Sequence, residues 1–266
     1  MTPETLLEAV TALALAAGEA IMTVYRTDFD VQRKADHSPV TEADLAAHHI
    51  IDAGLRRLTP DLPRLCEEGA LPAHGERRAW TRFWLIDPLD GTREFVKRNG
   101  EFTVNIALVE DGAPVLGVVF APALGDTYLA ARGVGAWKRD AQGQRELHTR
   151  RVGARPVVAM SRSHHDEETE ALFRPIGRYD RAQRGSSLKF GLVAEGSADL
   201  YARLGPTSEW DTAAGQCVAE QSGGVVLTLP HYAPMRYNQR DTLINPGFVV
   251  YGDRGFDWPA KLGPAS

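Results

Sequence analysis

The sequence has little cysteine, no excess of positive charge and no long uninterrupted apolar run. Only Cys66 and Cys217 occur among 266 residues. Two cysteines without metal-type spacing argue against a disulfide-built secreted fold and fit a reducing cytoplasm. The 30 basic and 35 acidic residues give a net charge of −5, which provides no overall positive field to attract nucleic acid polymers. The expected partner is therefore a small molecule, bound by local groups.

The N-terminal segment lacks the features of a signal peptide or a membrane anchor. Its apolar run, residues 9–18, is shorter than a bilayer requires, and Glu4 and Glu8 stand where a signal peptide carries basic residues. Apolar residues instead recur at helical spacing after a Thr2 cap, which predicts an amphipathic helix and no transmembrane segment. The apolar stripe consists of Leu6, Val10, Leu13, Ala17, Ile21 and Val24.

The remaining pattern predicts two differently built halves. A second helix is expected over 41–58, and a third over 212–220. Strand signals crowd into the first half and its border, at 83–86, 103–109, 115–120, 127–131 and 157–160. We therefore expect an α+β half with an antiparallel sheet and most of the metal ligands at 1–150. An α/β half at 151–266 follows, with substrate-binding segments and the last metal acid.

Two carboxylates stand three positions apart in the segment WLIDPLDGT, residues 84–92. Mg²⁺ prefers oxygen ligands and often shares carboxylates with a substrate phosphate, and Asp87 and Asp90 supply such oxygens. Gly91 has no side chain to keep an anion from the following amides, and a helix beginning near Thr92 would present unpaired N–H groups. Taken alone, the segment is better interpreted as an ordinary Asp-Gly turn.

Other acidic segments change this interpretation. Glu67 and Glu68 end a short apolar run, Asp211 begins a small-residue stretch, and Asp44 lies in the first turn of the expected second helix. Each has an ordinary explanation in isolation, since acids at helix starts favour the helix dipole and Thr92 could be a simple N-cap. Their occurrence together favours metal-dependent phosphate chemistry over four unrelated turns.

Taken together, these segments resemble the inositol monophosphatase family, whose pattern is V-T-x-x-D, E-E, D-P-[IL]-D-G-T and W-D-x-A-A-G. Further segments narrow the resemblance to the CysQ-type 3'(2'),5'-bisphosphate nucleotidases, and it covers nearly the whole chain. It implies a layered α-β-α-β-α sandwich of the inositol monophosphatase (sugar phosphatase) type, an α+β half and an α/β half with metals at their junction. The further segments are KADHSPVT (34–41), GTREFVKRNGEFTVN (91–105), SRSH (161–164), GSSLKF (185–190) and GPTSEWD (205–211).

The resemblance implies a Mg²⁺-dependent, lithium-sensitive phosphatase with two or three ions per site. Asp44 and Thr92 are the implied pair that orients and helps deprotonate the attacking water, while Glu67 is implied to support the ligands without being one. The implied metal ligands are Glu68, Asp87, Asp90, Asp211 and the Leu89 carbonyl, and Glu68 is also implied in catalysis. Substrate contacts are implied for Glu68, Leu89, Asp90, Gly91, Thr92, Ser161, Arg162, Ser163, His164, Ser186, Ser187, Lys189 and Asp211.

The implied reaction removes the 3'-phosphate of adenosine 3',5'-bisphosphate (PAP) to give AMP, and extends to its phosphosulfate relative (PAPS) in sulfur assimilation. The hydroxyls and cations of 161–164 and 186–189 suit a second anion site. Two alternatives stay open at this point. One is an inositol or sugar monophosphatase with the same metal core, and the other is a non-catalytic ligand-binding or scaffold protein that kept the fold.

The resemblance also bears on the location of the protein and on two side chains. It implies a cytoplasmic protein with peripheral attachment to the cytoplasmic face of the inner membrane, and it leaves the oligomeric state open. Lys34 is equally well a solvated cation or part of a loop beside the site. His164 could stack on a base or simply bond a loop carbonyl.

Overall fold

The computed structural model describes residues 1–27, 42–163 and 166–264, together with the backbone of the strands at 32–33 and 39–40. Lys34, Thr41 and His164 lie outside the described residues, so the expectations for them stay predictions. The helices are α1 (Pro3–Tyr25), α2 (Glu42–Leu58), α3 (His74–Arg77), α4 (Thr92–Val96), α5 (Glu167–Leu172), α6 (Leu188–Ala194) and α7 (Ala213–Gln221).

The strands form a two-stranded ribbon and two larger sheets. The ribbon pairs β1 (Gln32–Arg33) with β2 (Pro39–Val40). The first large sheet contains β3 (Arg64–Cys66), β4 (Arg82–Asp90), β5 (Thr103–Glu110), β6 (Ala113–Ala121), β7 (Asp126–Ala131), β8 (Gly135–Asp140) and β9 (Gly143–Glu146). The second contains β10 (Val157–Ser161), β11 (Asp180–Arg184), β12 (Leu200–Arg203), β13 (Val225–Thr228), β14 (Ala233–Pro234) and β15 (Phe248–Tyr251).

Helix α1 forms where the apolar stripe predicted it, and the pair α1 and α2 covers one face of the first sheet. The Thr2 side chain accepts a hydrogen bond from the Thr5 amide, as expected of an N-cap. The helix spans 23 residues, longer than the apolar run counted from the sequence, and by length and composition alone it could cross a membrane. A core helix passes the same test, and Leu6, Val10 and Ile21 are buried in the interior.

The first sheet is antiparallel except at its edge, where β3 runs parallel to β4. Strands β5 and β6 are buried on both faces because helices cover the sheet on each side. In the second sheet β10 pairs in parallel with β11 and β12. The remaining pairs of this sheet are antiparallel.

Three apolar clusters fill the spaces between successive layers of helices and sheets. The first lies between the α1–α2 pair and the first sheet. The second lies between the two sheets and encloses residues of α6 and α7. The third lies beyond the second sheet and includes Leu172 of α5. Helix pair, sheet, helix pair, sheet and helix follow one another, which confirms the expected α-β-α-β-α order.

Candidate active site

The carboxyl end of β4 positions the two acids of the WLIDPLDGT segment. Asp87 pairs with Asn105 of β5 and Asp90 with Thr103, and the register shifts between these two pairs. The Leu89 amide donates to Asp87 Oδ1 at 3.0 Å, so the Asp87 side chain stabilises the turn inside the strand. The irregular pairing therefore keeps both carboxylates at the carboxyl end of β4.

Gly91 carries the chain from β4 into α4. Its φ of +85° lies in the left-handed region, and a Cβ at this position would lie 3.2 Å from Ser186 Cβ. Glycine is therefore needed both for the backbone conformation and for the close approach of the Ser186 loop. Helix α4 begins at Thr92, as the sequence predicted.

Glu67, Asp87 and Asp211 form an acidic cluster, with one carboxylate oxygen of each within 4.8 Å of the others. Burial, followed by the charge of Glu67, raises the pKa of Asp87 well above its usual value. Burial, followed by the charge of Asp90, raises the pKa of Asp211 in the same direction. Carboxylates that are buried and crowded in this way favour their protonated forms unless a cation binds beside them, and carboxylate oxygens are preferred by Mg²⁺. The donor set fits a hard divalent cation.

The geometry favours Glu67, where the family pattern had selected Glu68 as the ligand. The Glu67 amide donates to the Ile86 carbonyl at 3.2 Å, which extends the β3–β4 pairing by one residue and aligns Glu67 with the end of β4. Glu67 also lines the cavity of the acids. Among the described residues, Glu68 does not belong to this cluster. Glu67 is therefore the neighbour whose carboxylate lies with those of Asp87 and Asp211.

Asp90 is held by the loop that precedes α6. Its Oδ2 accepts a hydrogen bond from the Ser187 amide at 2.8 Å and another from the Ser186 hydroxyl. Lys189 of α6, whose side chain is buried, donates from Nζ to the Ser186 carbonyl of this loop. Ser186 and Ser187, expected to contact substrate, thus contact a predicted metal ligand in this structure.

Two polar residues of β5 complete this network, and the sequence reasoning missed both. The Ser187 hydroxyl donates to Asn105 Oδ1 at 2.7 Å, and the Thr103 hydroxyl lies 2.8 Å from Ser187 Oγ. Both side chains are buried. The signal that could have found them is their two-residue spacing in a strand of otherwise apolar character, which places them on one face opposite Asp87 and Asp90.

A cavity of about 330 Å³ opens between the end of β4 and the starts of α6 and α7. It brings together most of the residues predicted from the sequence, including both Asp87 and the Ser186 loop. The predicted residues that line it are Asp87, Leu89, Asp90, Gly91, Thr92, Ser161, Ser186, Ser187, Lys189 and Asp211.

A second cavity of about 230 Å³ adjoins the first, and Ser161, Lys189, Tyr201 and Arg203 line both. Burial lowers the pKa of Lys189 to about 8. The Lys189 ammonium also lies 5.4 Å from the centre of the Tyr201 ring. The shared wall of the two cavities therefore combines two cationic side chains with a buried aromatic ring.

Arg162 and Ser163 have acidic partners instead of an open anion site. Arg162 donates from Nε to Glu101 Oε2 at 2.6 Å and from Nη2 to Glu101 Oε1 at 2.9 Å. Ser163 donates to Glu94 Oε2 at 2.8 Å and accepts from Lys97 Nζ at 2.9 Å. Arg162 also lines the second cavity. The sequence could not indicate these partners, which come from a distant part of the chain.

Asp44 lies in the first turn of α2 and is buried. Its charge is among the causes that raise the pKa of Asp87, which places it near the acidic cluster. Its expected pairing with Thr92 stays a prediction.

Comparison with known proteins identifies relatives along the whole chain. The model of the inositol monophosphatase family matches residues 2–250. The chain is 51% identical to the 3'(2'),5'-bisphosphate nucleotidase CysQ of Escherichia coli K12 over 92% of this chain and 99% of the relative. It is 39% identical to the Haemophilus influenzae CysQ, with 96% of each chain covered.

Solved structures agree with these relatives. CysQ from Bacteroides thetaiotaomicron, a bacterial member of the inositol monophosphatase family, matches with a TM-score of 0.83 and 39% identity, covering 93% of this chain and 97% of that one. An inositol monophosphatase from Anabaena matches with a TM-score of 0.74 and 25% identity, covering 94% and 91%. The expected family and layered fold are confirmed.

Proposed function

The chain belongs to the inositol monophosphatase family, and on that premise we propose that it is a Mg²⁺-dependent 3'(2'),5'-bisphosphate nucleotidase. The observation that carries the proposal is its 51% identity to a CysQ nucleotidase over nearly the full length of both chains. The proposed reaction converts PAP to AMP and phosphate, with PAPS as a second substrate. The proposed location is the cytoplasm, and peripheral attachment to the inner membrane stays a prediction.

The acids at the end of β4 would hold the metal. We assign Glu67, Asp87, Asp90 and Asp211 as its carboxylate ligands, with the Leu89 carbonyl, and retain two or three ions as the expected number. Bound Mg²⁺ would acidify the attacking water and neutralise charge on the phosphate. Two observations support this assignment. The carboxylates of Glu67, Asp87 and Asp211 lie close together, and burial raises the pKa of Asp87.

The protein groups around the metal would bind and orient the scissile phosphate. The amides of Gly91 and Thr92 follow the second acid of the strand, and both residues line the cavity that contains the acids. The carboxylate of Asp44 and the hydroxyl of Thr92 are assigned to orient the attacking water and accept its proton. Uncatalysed phosphate monoester hydrolysis is among the slowest reactions, so positioning and charge must act together.

The adjoining cavity supplies room for the rest of a nucleotide. Lys189 and Arg203 stand at the wall between the two cavities, where a second phosphate would find cations. Ser161 lines the same wall. An inositol phosphate carries no group that needs this second space, which supports the nucleotidase over the inositol phosphatase.

The proposal is tested by phosphate release from PAP, inositol 1-phosphate and AMP at equal concentration, with and without Mg²⁺. We expect Mg²⁺-dependent release from PAP at least about tenfold faster than from either monophosphate, equivalent to about 1.4 kcal/mol of discrimination. Faster release from inositol 1-phosphate would assign the protein to the inositol phosphatases. No release from any of the three would support the non-catalytic alternative.

A further inference from the structure

Glu101 joins the two halves of the chain beside the acidic cluster. It lies just before β5, and 6% of its surface is exposed. Its carboxylate accepts two hydrogen bonds from the Arg162 guanidinium and one from the Gly185 amide at 2.8 Å. Charge-assisted pairs with a bidentate guanidinium fix geometry more strongly than neutral hydrogen bonds do. Glu101 therefore anchors the start of the Gly185 loop.

The Gly185 loop fits closely against this anchor. A Cβ at Gly185 would lie 2.7 Å from Glu94 Cγ and 2.9 Å from the Glu101 carbonyl oxygen. Only a residue without a side chain allows the backbone to approach both acids so closely. The position of the loop is thus set by its contact with residues 94–101 of the first half.

The same loop presents its next two residues to Asp90. The Ser186 hydroxyl and the Ser187 amide both donate to Asp90 Oδ2. Donors of this kind orient a metal-binding carboxylate and hold it in place before the ion arrives. A displacement of the loop would move both donors together and release the carboxylate from its orientation.

We propose that Glu101 is a positioning residue of the metal centre. By binding the Gly185 amide and Arg162, it fixes the 185–187 loop so that its donors hold Asp90 in the orientation that binds metal. This inference rests on the proposed function for the identity of Asp90 as a ligand. It also gives Arg162 a role in holding the loop, which is distinct from contact with substrate.

The chain contains a matched control for a purely structural effect. Asp199 is also buried, and it accepts hydrogen bonds from Arg150 Nε and Nη2 at 2.8 Å each and from the Val157 amide at 2.7 Å. The two arginines are equally exposed, at 41% for Arg150 and 40% for Arg162. Val157 begins β10, whereas the site lies at the other end of that strand, so the Asp199 pair repeats the chemistry away from the metal.

The experiment compares Glu101→Gln, Glu101→Ala and Asp199→Asn in the full chain. Mn²⁺ serves as the probe, and its free concentration is followed by electron paramagnetic resonance during titration. We expect the Mn²⁺ dissociation constant to rise about tenfold in Glu101→Ala, within the range for lost partners of metal ligands. The rise should be about threefold in Glu101→Gln, whose amide oxygen still accepts from Gly185. It should be less than twofold in Asp199→Asn.

Melting temperature and PAP turnover are measured on the same samples. All three variants should melt below the wild type, because each weakens a buried ion pair, but only the Glu101 variants should lose Mn²⁺ affinity. Wild-type affinity in both Glu101 variants, or an equal loss in Asp199→Asn, would overturn the positioning role. Mn²⁺ binding by the wild type without PAP turnover would reject the nucleotidase while leaving the role of Glu101 to be judged on the dissociation constants. Absence of Mn²⁺ binding would overturn both.

Discussion

The carboxylate of Asp87 is buried beside two other acids, and this arrangement opposes folding when no cation is bound. Burial and the neighbouring charge of Glu67 raise its pKa well above the usual value, so the folded state favours its protonated form. A ligand that binds only the folded state stabilises it by about 2.7 kcal/mol at one hundred times its dissociation constant. Mg²⁺ should therefore raise the melting temperature as well as permit catalysis.

The pair Glu67→Gln and Glu68→Gln tests which neighbour binds the ion. We expect PAP turnover to fall on the order of 100-fold in Glu67→Gln, because the substitution removes a ligand of the ion. The bound ion would supply several kcal/mol of charge stabilisation in the transition state. Without metal it should melt above the wild type, since one repelling charge is gone. Turnover of Glu68→Gln should stay within a few fold of the wild type.

Both effects are read from melting curves with and without Mg²⁺ and from phosphate release. Since the two variants remove the same charge at adjacent positions, general changes in net charge cancel in the comparison. The reverse ranking of the two variants would restore Glu68 as the ligand.

At this scale the motifs predicted acids that lie together, but they did not determine which of two adjacent glutamates faces the acidic cluster. Asp87, Asp90 and Asp211 line one cavity, as their motifs indicated. The motif alone could not decide between Glu67 and Glu68, because both lie in the turn after β3, which the Gly69 amide closes by donating to the Cys66 carbonyl at 3.0 Å, and no regular alternation sets their directions there. Only the pairing of that segment with β4 shows which one faces the cluster.

At the scale of elements, the contact between β6 and α7 determines where Asp211 lies. Asp211 lies two residues before the start of α7, and this helix packs on β6. The strand carries Gly117 at the contact, where a Cβ would lie 2.8 Å from Cys217 Cβ and would also overlap the Ala214 carbonyl oxygen. The absence of a side chain thus lets the helix lie directly on the sheet.

We expect Gly117→Ala to destabilise the fold by about 1–3 kcal/mol, the usual cost of overpacking a close contact. Because the displaced helix follows Asp211, Mg²⁺ should also stabilise this variant less than the wild type. Urea unfolding with and without Mg²⁺ measures both effects. Gly153→Ala is the control, since a Cβ there would meet nothing within 4 Å. Equal stability of the two variants would show that α7 can move without cost.

The main elements were predictable because their apolar patterns are long. The expected strand at 103–109 is β5 (Thr103–Glu110), and the expected helix at 212–220 is α7 (Ala213–Gln221). Strand β9 was missed because all four of its residues are exposed, so no alternation of apolar and polar residues marks it. Its pairing with β8, rather than its own composition, makes it a strand.

At the scale of the whole molecule, the division of the chain into two halves at residue 150 remains a prediction. The boundary between the two large sheets lies close to that residue. The first large sheet ends at Glu146 and the second begins at Val157. The apolar cluster between them nevertheless joins both halves, since Phe83 and Val119 of the first belong to it together with Phe190 of the second. Neither half can bury this face alone, and the loss of one would expose the core of the other.

The shared core predicts one cooperative unfolding transition instead of two. In scanning calorimetry without metal, we expect a single peak whose calorimetric and van't Hoff enthalpies agree, which is the test of two-state behaviour. Independent halves would expose their own cores at different temperatures, and two peaks would then be resolved. A single peak would mean that residue 150 separates two sheets without separating two folding units. The acidic cluster, whose residues come from both sides of that boundary, would then assemble when the core folds and separate when it unfolds.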